Sequence, residues 1–134
     1  NWPVQIKLAP VNAPYFQGCD LLVAADCTAF AYGAFHEDFL KGRVCLIGCP
    51  KLDGVDYTEK LAQIIAENNV RSVRVARMQV PCCGGLEQAV RRAVAIAGSQ
   101  NGAGAAGAVV GAVASNIPVQ IDVISSDGRI VAVG

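Results

Sequence analysis

The segment that decides the fold runs from Ser72 to Gly98 and reads "SVRVARMQVPCCGGLEQAVRRAVAIAG". Its first seven residues alternate and are rich in valine, which predicts a β-strand from Ser72 to Met78. After the break "QVPCCGG", apolar residues recur every three or four positions, which predicts an amphipathic helix that ends at Gly98. A strand followed directly by a helix is typical of a layered α/β domain.

Further strands are predicted before and after this segment. Two continuous apolar runs precede it, "DLLVAA" from Asp20 to Ala25 and "RVCLIGCP", which Pro50 stops. Uninterrupted apolar runs of this length predict strands buried on both faces, as in a parallel sheet. Near the C-terminus, "PVQIDVISSDGRIVAVG" predicts two strands joined by a tight turn.

Two helices are predicted between these strands. One is short, lies around Phe35 to Leu40 and is ended by Gly42. The other runs from about Tyr57 to Asn68 and starts with a capping box formed by Asp56 and Glu59. The alternation predicts an α/β protein, a small layered fold with a mostly parallel sheet and a C-terminal hairpin.

A tract rich in glycine and alanine interrupts the alternation. It reads "SQNGAGAAGAVVGAVASN" and carries no charge between Gln100 and Asn116. We expect a mobile insertion at about 98–117 within a single domain, 1–134; the alternative is a small-residue helix packed on a partner. Although "GAGAAG" has the glycine spacing of a dinucleotide-binding loop, it follows a helix rather than a strand, so we reject that function.

Charge and hydrophobicity exclude several classes of partner. Eleven basic residues balance eleven acidic ones, so no basic field is present to hold nucleic acid or an anionic membrane. Outside the glycine-alanine tract, no apolar run is long enough to span a bilayer. We therefore expect a cytoplasmic protein. Because the chain starts at Asn1 rather than Met, we also expect a processed product or a fragment.

The cysteines are the candidate functional residues. Six are too many for an ordinary cytosolic domain and few for a secreted disulfide scaffold, which favours metal binding or redox chemistry. They are Cys19, Cys27, Cys45, Cys49, Cys82 and Cys83. Cys45 lies within a predicted strand and Cys19 precedes one, so we interpret both as packing residues.

The other four cysteines follow three different predicted strands. Because parallel strands end at one edge of a sheet, Cys27, Cys49, Cys82 and Cys83 are expected to converge there. A helix N-terminus stabilises a thiolate, so Cys83 is expected to be the stronger ligand of the adjacent pair. Cys82 would then bridge a second metal or act as a redox-active thiol.

Three further residues are candidates for cofactor binding. Gly84 and Gly85 lack side chains, so their amides are expected to approach cluster sulfurs or an anion. His36 is expected on a short helix at the same edge. It would be a metal ligand, a hydrogen-bond donor to one of the ligands, or an ordinary surface histidine.

Three motifs resemble a known group of proteins. They are "ADC" at 25–27, "IGCPKLD" at 47–53 and "VPCCGG" at 80–85. The chain resembles the C-terminal domain of anaerobe iron-sulfur proteins of the 4Fe-4S ferredoxin type, from Asn1 to about Ala97 and again from Pro118. In that group the domain follows an N-terminal module with [4Fe-4S] clusters. Because the ferredoxin cysteine runs are absent here, the resemblance implies a cysteine-lined domain without that module.

Three functions remain open. The first is an iron-sulfur cluster, foremost of the 4Fe-4S type, or zinc, bound by the four converging cysteines for electron transfer to a redox partner protein or a ferredoxin module. The second is thiol-disulfide redox chemistry by the vicinal pair Cys82 and Cys83. The third is a non-catalytic docking module. Whether the protein acts as an enzyme or forms a homo-oligomer is left open.

Overall fold

Six β-strands form one sheet in the described part of the chain. The computed structural model describes residues 2–104 and 117–134, and within them the sheet order is β1-β3-β2-β4-β5-β6. All neighbouring pairs are parallel except β5 and β6, which are antiparallel. The predicted fold class is therefore confirmed. The strands are β1 (Val4–Gln5), β2 (Asp20–Ala25), β3 (Val44–Gly48), β4 (Ser72–Met78), β5 (Val119–Ile124) and β6 (Ile130–Val133).

Helical segments connect the strands. They are a 3-10 turn (Pro14–Phe16), α1 (Thr28–Ala31), a π-helical segment (His36–Leu40), α2 (Pro50–Asp53), α3 (Thr58–Glu67) and α4 (Pro81–Gly104). The prediction for α3 is confirmed to within one residue at each end. Asp56 caps this helix by accepting a hydrogen bond from the Thr58 amide at 2.9 Å. None of the helices in the described ranges is both long and apolar enough to cross a membrane.

The predicted end of the long helix at Gly98 is wrong. Helix α4 continues through Gly98 to Gly104. A glycine ends a helix when it turns into the left-handed region, and Gly98 is not among the glycines with positive φ. The buried face formed by Val90, Ala93 and Ala97 holds the preceding turns on the sheet. The part of the predicted insertion from 105 to 116 lies outside the described residues.

The sheet is covered on both faces. In β2, Leu21 and Val23 belong to the larger core, which contains the buried faces of α3 and α4. Leu22 and Ala24 point to the other face and pack in a smaller core with Phe39. This alternation explains why the β2 sequence is continuously apolar.

The strand order reverses around β2. The chain passes from β2 to β3 on one side, then returns across the sheet to β4 on the other side. Open α/β sheets bind ligands outside the carboxyl ends of their strands, where the order reverses in this way. That position lies beyond the carboxyl ends of β2 and β4.

Candidate functional site

Four cysteines follow the carboxyl ends of three adjacent strands. Cys27 is the second residue after β2, and Cys49 follows β3 directly. The last residues of these two strands, Ala25 and Gly48, are partners in the sheet register. Cys82 and Cys83 are the second and third residues of α4, which begins shortly after β4. We call these four residues and the strand ends that carry them the cysteine edge.

Two neighbouring thiols affect the ionisation of Cys83. Its pKa is raised, first by burial and then by Cys82 and Cys49. Only 6% of Cys83 is exposed. Burial thus raises the pKa of Cys83 although this residue lies in the first turn of α4. That its thiolate is more stabilised than that of Cys82 stays a prediction.

The described residues contain no preformed metal-binding site. No group of three or more His, Cys, Asp or Glu side chains within them is arranged to hold an ion. Cys27 is exposed, while Cys49 and Cys82 are half-buried. Thiolates are soft ligands that suit iron-sulfur clusters and zinc, so the donors fit such a group by chemistry. To hold it, their side chains must turn toward a common point.

Cys49 is fixed by a pair of residues that the sequence did not mark as functional. Its backbone N–H donates to the Tyr57 hydroxyl at 3.1 Å, and this hydroxyl donates to the Asp53 carboxylate. The Cys49 sulfur accepts a hydrogen bond from the Leu52 amide at 3.4 Å. Burial, followed by the neighbouring Asp53, raises the pKa of Tyr57. The hydroxyl therefore stays protonated at neutral pH.

The loop before the adjacent cysteines is held by Arg77. Its guanidinium donates to the carbonyl oxygens of Met78 and Val80, each at 3.2 Å. It also pairs with Glu87 of α4 at 2.9 Å, and both side chains are 19% exposed. These contacts fix the path of the chain from β4 into Cys82.

The two glycines lie against protein groups. A Cβ on Gly84 would stand 3.8 Å from an Arg77 nitrogen, and one on Gly85 would stand 3.5 Å from Pro50 Cβ. At these distances a Cβ would make ordinary van der Waals contact, so neither glycine is required for α4 to pack against Arg77 and Pro50. Their predicted contact with a cofactor stays a prediction.

His36 does not lie at the cysteine edge. It lines a cleft with Trp2 and Pro3, which precede β1, and with Arg43, which precedes β3. Because these strands are parallel, the cleft is at their amino ends. The expectation that His36 shares the cysteine edge is therefore wrong, since the chain has already returned across the sheet when it reaches His36.

The remaining two cysteines lie elsewhere. Cys45 is 2% exposed and packs in the smaller core. Burial raises its pKa to about 12 and that of the half-buried Cys19 to about 11. Both thiols are protonated at neutral pH, as packing residues would be.

Exposed apolar side chains surround the cysteine edge. Phe30 is 94% exposed and Leu52 is 77% exposed. Each lies three residues after a cysteine, Cys27 and Cys49 respectively. Val80, two residues before Cys82, is 41% exposed. The thiols therefore lie next to exposed apolar groups, while Asp53 of α2 and the Arg77–Glu87 ion pair bring charged groups to the same strand ends.

Comparison with known proteins identifies the fold family and one relative. Residues 13–133 match the family described as the Rossmann-like domain. An uncharacterized protein of Archaeoglobus fulgidus is 35% identical over 94 residues, which make up 69% of this chain and 66% of that protein. The chain thus spans just under two thirds of that relative. No solved structure matches the chain. Neither description mentions a metal, a cofactor or a reaction.

Proposed function

The chain belongs to the Rossmann-like domain family, and we propose that it is a metal-binding protein whose cysteine edge holds an iron-sulfur cluster for electron transfer. One observation carries this proposal: Cys49, Cys82 and Cys83 follow the carboxyl ends of the strands β3 and β4. Cys27 follows the strand between them. This is the position at which open α/β sheets bind their ligands.

The chemistry of the donors supports a thiophilic metal. Cysteine thiolates are the ligands of iron-sulfur clusters. A buried thiol such as Cys83 is costly to ionise alone, and a cation beside it offsets that cost. Consecutive side chains leave the backbone in different directions, so Cys82 and Cys83 are expected to have different roles. Zinc is the alternative metal for the same thiols.

Thiol-disulfide chemistry of the adjacent pair is the second candidate, favoured by the two consecutive thiols Cys82 and Cys83 at the start of α4. It ranks lower for a geometric reason. Consecutive Cα atoms across a trans peptide are about 3.8 Å apart, whereas disulfides usually join Cα atoms about 4.4–6.8 Å apart. A bond between Cys82 and Cys83 would therefore distort the first turn of α4.

The surroundings of the thiols support a protein partner. Phe30, Leu52 and Val80 are exposed apolar groups next to the proposed ligands, and aromatic and aliphatic side chains are typical of interface centres. A redox partner protein or a ferredoxin module that covers them would bring its own redox centre next to the thiols. We also infer a cytoplasmic location, since all six cysteines are free and a reducing compartment keeps thiols in that state.

Single Cys→Ser substitutions test the ligand set. Iron, acid-labile sulfide and zinc are measured in anaerobic preparations of variants at positions 27, 49, 82 and 83, with Cys45→Ala as the matched control. We expect Cys49→Ser and Cys83→Ser to lose most of the bound metal, and the control to retain it. If all four variants keep the wild-type metal content, the proposed site is wrong.

A further inference from the structure

We propose that Tyr57 and Asp53 are positioning residues that set the orientation of the Cys49 thiol. The biological role of this positioning rests on the proposed function, in which Cys49 is a metal ligand. The geometry itself holds whether or not a metal binds, because it lies in the contacts between the end of β3, the short helix α2 and the start of α3.

The first step is the contact between the Tyr57 hydroxyl and the Cys49 backbone. The Cys49 N–H follows the last residue of β3 and donates to this hydroxyl at 3.1 Å. Tyr57 is 2% exposed, so a partly buried N–H is satisfied by the hydroxyl of a buried side chain that belongs to another element. Losing such a partner leaves the N–H unpaired, which is costly.

The second step is the carboxylate that orients the hydroxyl. The Tyr57 O–H donates to Asp53, the last residue of α2. Because the Tyr57 hydroxyl donates its hydrogen bond to Asp53, a lone pair on the hydroxyl oxygen is left to accept from the Cys49 N–H. The Asp53 N–H in turn donates to the Cys49 carbonyl at 2.9 Å. The three residues thus close a ring around α2.

The third step links this ring to the sulfur. Cys49 is the N-cap of α2, and its sulfur accepts from the Leu52 amide at 3.4 Å. An N–H aimed at the sulfur stabilises the thiolate, which is the form that reacts and binds metal. Helix α2 has only four residues and would not stay folded alone. Tyr57 and Asp53 supply contacts that keep the Leu52 amide in place.

Gly48 shows how closely the phenol ring approaches the site. A Cβ at Gly48 would come within 3.0 Å of the Tyr57 hydroxyl and within 2.9 Å of the Ile6 side chain. Such approaches are tighter than those of most Cβ atoms, so a side chain at this position would displace Ile6 or the Tyr57 ring, and the glycine of "IGCP" favours the contact between Tyr57 and Cys49. This is the sequence signal for the contact, although it can be interpreted only once the fold is known.

The test measures thiol alkylation residue by residue. Reduced, metal-free protein is treated with iodoacetamide at one fixed pH, and peptide mass spectrometry gives the alkylation rate for each cysteine. We expect Tyr57→Phe, which keeps the ring, to slow Cys49 alkylation about fivefold, the effect of roughly one hydrogen bond. Asp53→Asn, which retains an acceptor oxygen, should have a smaller effect.

The controls separate this role from a general loss of structure. Tyr15→Phe makes the same chemical change on the 3-10 turn before β2 and should leave the alkylation rate of Cys49 unchanged. Alkylation of the buried Cys45 reports unfolding, so it should stay slow in every variant. An unchanged or faster rate at Cys49 in Tyr57→Phe would overturn the inference.

A separate measurement keeps the two proposals distinguishable. Bound metal is determined in wild-type protein before the metal is removed. Absence of metal in that wild-type protein would overturn the proposed function. The alkylation rate of Cys49 alone decides whether Tyr57 positions this residue.

Discussion

The two ends of the sheet are built from different chemistry. In the amino half, Arg71 and Ser72 bind Asp20 at 2.5 and 2.6 Å, and Arg74 pairs with the buried Asp122. At the carboxyl ends, Cys49 and Cys82 raise the pKa of the neighbouring Cys83. Exposed apolar side chains lie beside these thiols. The amino half thus carries ion pairs that join neighbouring strands, whereas the cysteine edge carries thiols and exposed apolar groups, with one ion pair, Arg77–Glu87, that joins β4 to α4.

This difference predicts which substitutions should change stability and which should change metal binding. Paired charges in the amino half contribute to folding, so their removal should lower stability and leave the thiols unchanged. The proposed ligand cysteines at the other end contribute little packing beyond Cys83, so their removal should affect the proposed metal binding more than folding. Each prediction below tests one side of that division.

The largest effect is expected for Asp122→Ala. Asp122 has no exposed surface and pairs with Arg74, whose side chain is 16% exposed and lies 4.4 Å from the centre of the Phe39 ring. Removing the carboxylate leaves a largely buried guanidinium without its partner, which typically costs about 3–5 kcal/mol. Urea unfolding followed by circular dichroism measures the change in the free energy of unfolding.

The matched control is an exposed ion pair in the hairpin turn. Arg129 and Asp127 are 77% and 57% exposed, so Asp127→Ala should change the unfolding free energy by less than about 1 kcal/mol. If Asp122→Ala is equally mild, the amino half does not hold the fold in the way described.

A smaller effect is expected for Cys45→Val. Cys45 packs in the smaller core, and exchanging it for another small apolar residue should cost less than about 1.5 kcal/mol. Metal content should remain at the wild-type value, because this residue is not at the cysteine edge. Loss of metal in this variant would break the division between packing and binding cysteines.

The smallest effect concerns the acid range. Hydrogen bonds from Arg71 and Ser72 lower the pKa of Asp20 from 3.8 to about 2. Because the folded-state pKa is depressed, the contribution of Asp20 to stability is present above pH 4 and lost as the pH falls toward 2. Arg71 is 72% exposed, so the contribution should be below about 1 kcal/mol.

The comparison that isolates this contribution uses Asp20→Asn. Wild type should be slightly more stable than the variant at pH 6, and the two should become equally stable near pH 2. A stability difference that is constant from pH 6 to pH 2 would contradict the assignment.

The fold could be predicted largely from local pattern. The bounds of β4 agree with the prediction because its alternation and its proline boundary are both local signals, and α3 agrees because Asp56 caps it. The end of α4 could not be predicted in this way. Gly98 reads as a stop in isolation, yet whether a glycine ends a helix depends on its φ, which the surrounding packing determines.

The candidate site was less accessible from sequence. The position of four cysteines after strands indicated one edge, but the burial of Cys83 and the distant position of His36 depend on how the connections cross the sheet. The contact between Tyr57 and Cys49 joins residues eight positions apart through a turn of α2. Neither residue spacing nor composition reports such a contact.

The most direct test of the central claim is the metal content of the wild-type protein. Protein prepared under strict exclusion of oxygen is analysed for iron, acid-labile sulfide and zinc, together with its visible absorption spectrum. We predict bound iron and sulfide with visible absorption that disappears in Cys49→Ser and persists in Cys45→Val. Zinc alone would retain the thiol site but contradict the cluster, and protein without any metal would contradict the account as a whole.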